Sequence, residues 1–375
     1  MAPASTAPSD LACPACGRTY DAGPDEPWRC DCGHPLELAD RPLPDGPAPD
    51  FSELDAREGL WAFADFLPFS ERVTLGEGFT PLQRPDTADW APNVQFKLEY
   101  VFPSGSFKDR GATTTLSRAA ELGVSRVVED SSGNAGAAVA QYAARAGIDA
   151  DIYVPADAKP SKLAAVERVG ATPVRIEGSR QDVTDACVEA VESDDEAWYA
   201  SHAWNPAFFA GTATFAFEVA AQRDWDVPDA VVTPLGHGTL FLGAYRGFRA
   251  LMDAGWTDRM PRLLGAQAEG YAPIADELHG PDEAAGDNDV ADGIQIFDPT
   301  RKDQILDAID ATDGDALALG EAPVADALDR LHRGGFYVEP TSAVAPAALA
   351  AFRERGVLDP DDDVVVPLTG SGLKS

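Results

Sequence analysis

From residue 125 onward the apolar positions follow two alternating rhythms. Short β-rich runs bounded by Gly, Pro, Asn or Asp alternate with longer segments whose apolar residues recur at helical spacing. Residues 125–129 read as a strand, followed by a Gly-containing turn and an Ala-rich helical segment over 136–146. Strand patterns at 150–154 and 173–176 and helical patterns at 161–169 and 181–192 follow, and 198–201 closes this half. The second half repeats the theme, with strands at 230–235, 262–266, 336–338 and 363–368 and helices at 239–252 and 322–333. Such alternation predicts parallel sheets covered by helices. The acidic, Gly-containing stretch 280–289 reads as an exposed loop, and no solenoid-type repeat is present.

Upstream the texture changes. Residues 1–50 are rich in Pro, Cys, Asp and Gly with little periodicity, and an amphipathic segment over 53–67 leads into the main body. The expected division is a Cys-rich module with its Pro-rich linker at 1–45, one α/β domain at 46–204 and a second at 205–375. In doubly wound sheets, ligands bind beyond the carboxyl ends of strands, which says where to look for chemistry.

Composition narrows the function classes. Apolar content of 45% and charged content of 25% are those of a globular chain, while 63 acidic against 29 basic residues leave a net charge of −34. A surface this negative repels nucleic acid and anionic lipid, so neither is an expected partner. With only 6 lysines, and acidic runs such as Asp194-Asp195-Glu196, the chain reads as halophilic. An ordinarily acidic mesophilic protein is the alternative. No run of about 18 apolar residues predicts a membrane span, the first ten residues lack a secretory pattern, and the expected location is cytoplasmic.

Four segments carry the candidate chemistry. The first is Phe102-Pro103-Ser104-Gly105-Ser106-Phe107-Lys108-Asp109-Arg110-Gly111. Lys108, between an aromatic residue and an acidic–basic pair ahead of a helical run, is a candidate Schiff-base former, which needs a neutral amine. A surface lysine at a helix start is the plainer alternative. The second is Asp130-Ser131-Ser132-Gly133-Asn134-Ala135-Gly136, where helix-start amides and two hydroxyls make a carboxylate cradle, and the Asn134 amide can donate to a phenolate oxygen. An ordinary N-cap turn would use the same residue types. The third is Pro234-Leu235-Gly236-His237-Gly238-Thr239, a strand–Gly-x-Gly-Thr–helix segment of the kind that cups a phosphate. His237 reads as a loop residue rather than a base. The fourth is Pro367-Leu368-Thr369-Gly370-Ser371-Gly372-Leu373-Lys374, whose Thr369 hydroxyl can meet a heterocyclic nitrogen unless the segment is a frayed tail. A carbonyl-reactive amine, a carboxylate cradle, a phosphate cup and a ring-nitrogen partner are what pyridoxal phosphate and an amino acid require.

A further constellation stands apart. Cys13-x-x-Cys16 and Cys30-x-Cys32 flank 13 residues, with Gly17 and Gly33 trailing each pair. Two such knuckles suit tetrahedral thiolate ligation of a structural Zn²⁺ in a module too small for its own core. His34 is a spare ligand, four free cysteines are the alternative, and Cys187 reads as core.

The motifs S-G-S-F-K-D-R-G, S-S-G-N-A-G, the G-x-G-T loop and T-G-x-G-L-K resemble threonine synthase, within the tryptophan-synthase-β-like (fold type II) group of pyridoxal-phosphate enzymes. The resemblance runs from about Leu75 to Lys374. It implies two doubly wound parallel-sheet domains with the cofactor in the cleft between them, preceded by a zinc-ribbon-like module. It further implies Lys108 as Schiff-base lysine and general base and Asn134 at the ring hydroxyl. Ser131, Ser132 and Gly133 would meet the substrate carboxylate. Gly236, His237, Gly238 and Thr239 would hold the cofactor phosphate, with Thr369 at the pyridine nitrogen. The reaction implied is conversion of O-phosphohomoserine and water to threonine and phosphate, by a carbon–oxygen lyase that is commonly dimeric in this group.

One departure matters. Where the family reads N-P-x-R followed by E-G-Q-K-T, this chain reads Asn205-Pro206-Ala207-Phe208-Phe209-Ala210-Gly211-Thr212-Ala213-Thr214. Phe208 replaces the phosphate-binding arginine, and an apolar ring cannot neutralise a dianion. Arg110, Lys159 and Lys162 are the candidate substitutes. The departure, and the dehydratase-like Ala291-Asp292-Gly293-Ile294, favour a serine/threonine ammonia-lyase or β-replacement enzyme as second reading. A catalytically silent pyridoxal-phosphate-binding regulator is a third, and the role of Glu339 stays open.

Overall fold

The structure, a computed structural model, describes residues 7–70, 72–85, 90–194 and 196–374. Part of the leader reading (residues 1–6) and Asp195 of the acidic run lie outside them. In chain order the elements begin with β1 (Leu11–Ala12), β2 (Thr19–Tyr20), β3 (Glu37–Leu38), β4 (Leu82–Gln83) and β5 (Val94–Lys97). Next come α1 (Lys108–Glu121), β6 (Arg126–Glu129), α2 (Asn134–Ala146), β7 (Asp149–Pro155), α3 (Pro160–Arg168), β8 (Thr172–Ile176), α4 (Arg180–Ser193) and β9 (Trp198–Tyr199). The remainder is α5 (Pro206–Ala221), β10 (Ala230–Pro234), α6 (Thr239–Asp253), β11 (Arg262–Ala268), α7 (Pro273–His279), α8 (Pro281–Ala284), α9 (Lys302–Ala311), β12 (Asp315–Leu319), α10 (Glu321–Arg333), α11 (Val344–Glu354) and β13 (Val364–Pro367).

Two compact units interleave along the chain. The first comprises Met1–Pro44, Arg57–Glu77 and Lys108–Thr212, and the second Asp45–Ala56, Gly78–Phe107 and Ala213–Ser375. In the first, β8-β7-β6-β9 form an all-parallel sheet, and β2-β1-β3 form a small antiparallel one. Its strands are short and β-branched, and the Ala-rich face of α2 buries Ala138, Val139, Tyr142 and Ala143 among them. In the second, β12-β11-β10-β13-β5-β4 form a sheet that is parallel except for its edge strand β4. Both arrangements are α/β with parallel sheets, as the alternating pattern requires.

The differences have local causes. Residues 336–338 form no named strand, only an isolated antiparallel bridge from Val338 to Ser371, because they are confined between the end of α10 at Gly334 and a 3-10 turn that begins at Pro340. The 53–67 segment is a broken 3-10 stretch, kinked at Gly59 and Phe63. In the acidic stretch 280–289, Pro281–Ala284 forms one helical turn. No helix among the described residues is long and apolar enough to cross a membrane.

Candidate active site

In the first unit, Lys108 opens α1 and is half-buried, while the next two residues, Asp109 and Arg110, are fully buried. The Tyr142 hydroxyl donates its one proton to Glu77 (3.0 Å) with Asp109 Oδ2 3.4 Å away, and Trp61 Nε1 donates to the same glutamate (3.2 Å). Burial, then the two carboxylates, push the Tyr142 phenol far above its ordinary range, so it stays a donor and pins the start of α1. The Lys108 Nζ lies 5.7 Å from the centroid of the Phe208 ring, within cation–π range. Phe208 is fully buried and packs on Gly111. Of the candidate substitute cations, Arg110 is buried in α1, Lys159 is the exposed N-cap of α3, and Lys162 is half-buried on that helix.

The Asp130–Asn134 segment leaves the carboxyl end of β6 and enters α2. Gly133 is the N-cap and offers no side-chain cap, and Ser131 Oγ accepts from the Gly133 amide at 3.3 Å. The turn folds back so tightly that a Cβ at position 136 would overlap the Ser131 carbonyl, so only glycine fits there. Two side chains that motif reading passed over flank this loop. Glu129, the last residue of β6, is fully buried, and its carboxyl meets His202 Nδ1 at 2.7 Å and the His202 amide at 3.3 Å. Burial, then the neighbouring Asp130 charge, raise the proton affinity of Glu129 well above the usual carboxylate range, while Lys108 opposes the shift. The imidazole in turn meets the Phe208 ring edge-on, with centroids 6.1 Å apart. The signal for both residues was positional, since Glu129 ends β6 and His202 lies just beyond the end of the adjacent parallel strand β9.

In the second unit, Gly236–Thr239 follow β10 and enter α6, a helix of 15 residues. Gly238 is its N-cap at φ +76°, a left-handed conformation, and supplies no side-chain cap. The turn is walled by apolar groups: a Cβ on Gly238 would lie 2.6 Å from Ile305 Cδ1, and one on Gly236 3.2 Å from Ile294 Cα. Thr369 follows β13, which pairs in parallel with β10, so both segments leave the same end of one sheet. The terminal motif is no frayed tail. Thr369 is 4% exposed, and its hydroxyl meets Ser342 Oγ at 3.0 Å. The Gly370 amide donates to Ser342 Oγ (2.8 Å), and the Glu339 amide donates to the Gly370 carbonyl (2.9 Å), which places Glu339 beside this turn. The Phe107 amide, one residue before Lys108, donates to the Thr369 carbonyl at 3.0 Å, and Ser106 bridges Gly370. Lys374 Nζ donates to Ser104 O at 3.0 Å. The Gly293 amide donates to Thr341 Oγ1 at 3.1 Å, joining the 291–294 segment to 338–343. Five sequence segments with no regular spacing therefore meet here.

In the N-terminal module, the sulfurs of Cys13, Cys16, Cys30 and Cys32 lie within 4.8 Å of one another, with 3.6 Å between Cys13 and Cys32 and 3.5 Å between Cys16 and Cys30. A tetrahedral thiolate site with metal–sulfur bonds of about 2.3 Å has sulfurs roughly 3.8 Å apart, so the donor set fits such an ion. The Gly17 and Gly33 amides close the two knuckles on Cys13 O and Cys30 O, and His34 Nδ1 lies 3.7 Å from Cys32 Sγ. Cys187 is fully buried in α4, away from this cluster.

Residues 73–370 match the family described as pyridoxal-phosphate dependent enzyme. The chain is similar to threonine synthase of Methanocaldococcus jannaschii, 33% identical over 96% of this chain and 92% of that protein. It is 36% identical to threonine synthase of Methanosarcina acetivorans over 84% of this chain and 80% of that protein. Among solved structures it is similar to a threonine deaminase from T.th., with TM-score 0.61 and 25% identity over 74% of this chain and 87% of that one. The chain belongs to the pyridoxal-phosphate dependent enzyme family.

Proposed function

We propose that the protein converts O-phosphohomoserine and water to threonine and phosphate. The observation that carries this reading is the similarity to two threonine synthases over 84% or more of the chain. When bound, pyridoxal phosphate supplies an electron sink that acidifies the α-proton of an amino acid. Lys108 would carry the cofactor, and its Nζ would take up and return that proton. The amides of Gly236, His237, Gly238 and Thr239 would hold the cofactor phosphate, favoured by the α6 dipole and by an N-cap that offers no competing side chain. Thr369, a hydroxyl and not a carboxylate, would leave the pyridine nitrogen unprotonated, which suits elimination and replacement. Asn134 would donate to the ring oxygen. Ser131, Ser132 and the Gly133 amide would bind the substrate carboxylate at the start of α2. The four cysteines would hold a structural zinc ion, and one zinc per chain by atomic absorption is the expected content.

A second reading keeps its own support. Phe208, 5.7 Å from Lys108 Nζ, presents an aromatic ring where the family pattern has an arginine, and this favours ammonia release from threonine or serine. One experiment separates the two: phosphate release from O-phosphohomoserine against ammonia release from threonine and serine, assayed with purified protein in molar salt. The net charge of −34 calls for that screening. Phosphate release is the expected result, and ammonia alone overturns it.

A further inference from the structure

Asp130 opens the loop that leads into α2, and both of its carboxylate oxygens are engaged. Tyr199 Oη donates to one at 2.8 Å and Thr184 Oγ1 to the other at 2.7 Å. Tyr199 lies on β9 and pairs with Val128 of β6, so its backbone is fixed by the sheet while its ring is fixed by what packs on it. That packing comes from the cysteine module. Trp28, between Cys16 and Cys30, meets the Tyr199 ring at right angles with centroids 5.5 Å apart, and meets Trp204 in the same way at 4.7 Å. The indole is itself held in place. The Arg29 guanidinium sits 4.4 Å above it and donates to Glu192 at 2.8 Å, and Glu26 pairs with the buried Arg118.

The surroundings make this contact consequential. A cavity of about 510 Å³, lined by Leu11, Glu26, Trp28, Glu192, Tyr199 and Asn205, adjoins it, so no close-packed wall would replace a missing indole. Burial and the Asp130 charge keep the Tyr199 phenol protonated, hence a donor. Asp130 adjoins the fully buried Glu129, and a carboxylate oxygen there that loses its donor is left unsatisfied, which lets the loop shift toward another partner.

We propose that Trp28 is a positioning residue for the Ser131–Asn134 loop, acting through the Tyr199 ring and its hydrogen bond to Asp130. The cysteine module is then a support for the substrate end of the site as well as a folded appendage. The kinetic consequence rests on the reading of that loop as the carboxylate cradle, whereas the structural linkage does not.

The test compares Trp28→Ala and Tyr199→Phe with the wild type, in cofactor-free and cofactor-loaded protein. Tyr199→Phe removes one hydroxyl and keeps the ring, so it carries the test if Trp28→Ala does not fold. Hydrogen exchange over residues 129–137 is expected to quicken about tenfold in both variants, with exchange over 236–242 unchanged, and Trp28→Phe is expected to restore most of the protection. The amino-acid KM is expected to rise about tenfold with kcat nearly constant, the loss of one hydrogen bond to a charged group. Unchanged exchange over 129–137 overturns the linkage, and so does equal quickening over 236–242, which would be general loosening. Quickened exchange with an unmoved KM upholds the linkage and removes the carboxylate role of the loop.

Discussion

Two helix starts in this protein solve the same problem with opposite materials. α2 begins behind Gly133 and α6 behind Gly238, each after a parallel strand and each without a side-chain cap. Both therefore leave their first backbone amides without a side-chain cap, the arrangement that suits an anion. The turn before α6 is walled by Ile294, Ile305 and Leu235 and locked by the left-handed Gly238. The turn before α2 is held instead by polar contacts: Asp130 by Tyr199 and Thr184, Glu129 by His202. Apolar packing has few alternative arrangements, whereas a hydrogen-bonded carboxylate can change partner or protonation. The turn before α6 is thus built to stay still, whereas the turn before α2 is tunable.

The largest expected effect breaks the rigid end. Gly238→Val forces a β-branched residue to φ +76° and drives its Cβ against Ile305. Pyridoxal-phosphate affinity, followed by absorbance titration of the cofactor-free protein, is expected to fall about 100-fold, roughly 2.7 kcal/mol. Affinity within a few-fold of wild type would remove this turn from the cofactor site.

A smaller effect sharpens the tunable end. Glu129 has its folded proton affinity raised above the unfolded value by burial first and the Asp130 charge second. The native state therefore holds this proton where the unfolded chain has released it. Its contribution to stability is complete below the unfolded carboxyl range, near pH 4.3, and is lost as pH rises through the folded value. Glu129→Gln removes that dependence. Relative to wild type, the variant is expected to gain stability as pH rises from about 4.3 toward the raised folded value, measured by denaturant unfolding in molar salt. Parallel pH profiles for the two proteins would show that Glu129 does not titrate in the folded state.

The smallest effect returns to the second unit. Ser342→Ala deprives the Thr369 hydroxyl and the Gly370 amide of their shared partner. A twofold to fivefold loss of kcat is expected, with cofactor affinity nearly constant, since the phosphate turn is untouched. A loss of cofactor affinity as large as that of Gly238→Val would mean that the two turns fold as one piece.

Some of this was legible in the chain itself. Strand–helix alternation with glycine-led turns specifies parallel sheets, and the paired cysteines with their trailing glycines specify a knuckle, because both signals are local. Other elements were not legible. α5 is apolar on nearly every face, from Phe208 through Val219, so it carries no amphipathic stripe to mark it as a helix. β12, reading Asp315-Ala316-Leu317-Ala318-Leu319, lacks β-branched residues and owes its extended form to pairing with β11.

By its own pattern, then, the sequence determined the α/β class, the places of the four candidate segments and the cysteine cluster, since each depends on spacing within a few residues. Only the tertiary structure brought Thr369 and Ser342 together, set His202 against Glu129, and carried Trp28 to Tyr199. Those pairs lie 27, 73 and 171 residues apart along the chain. Contacts at such separations follow from how strands order themselves in a sheet and how side chains fill the space above it, and no local rhythm of apolar and polar residues encodes that.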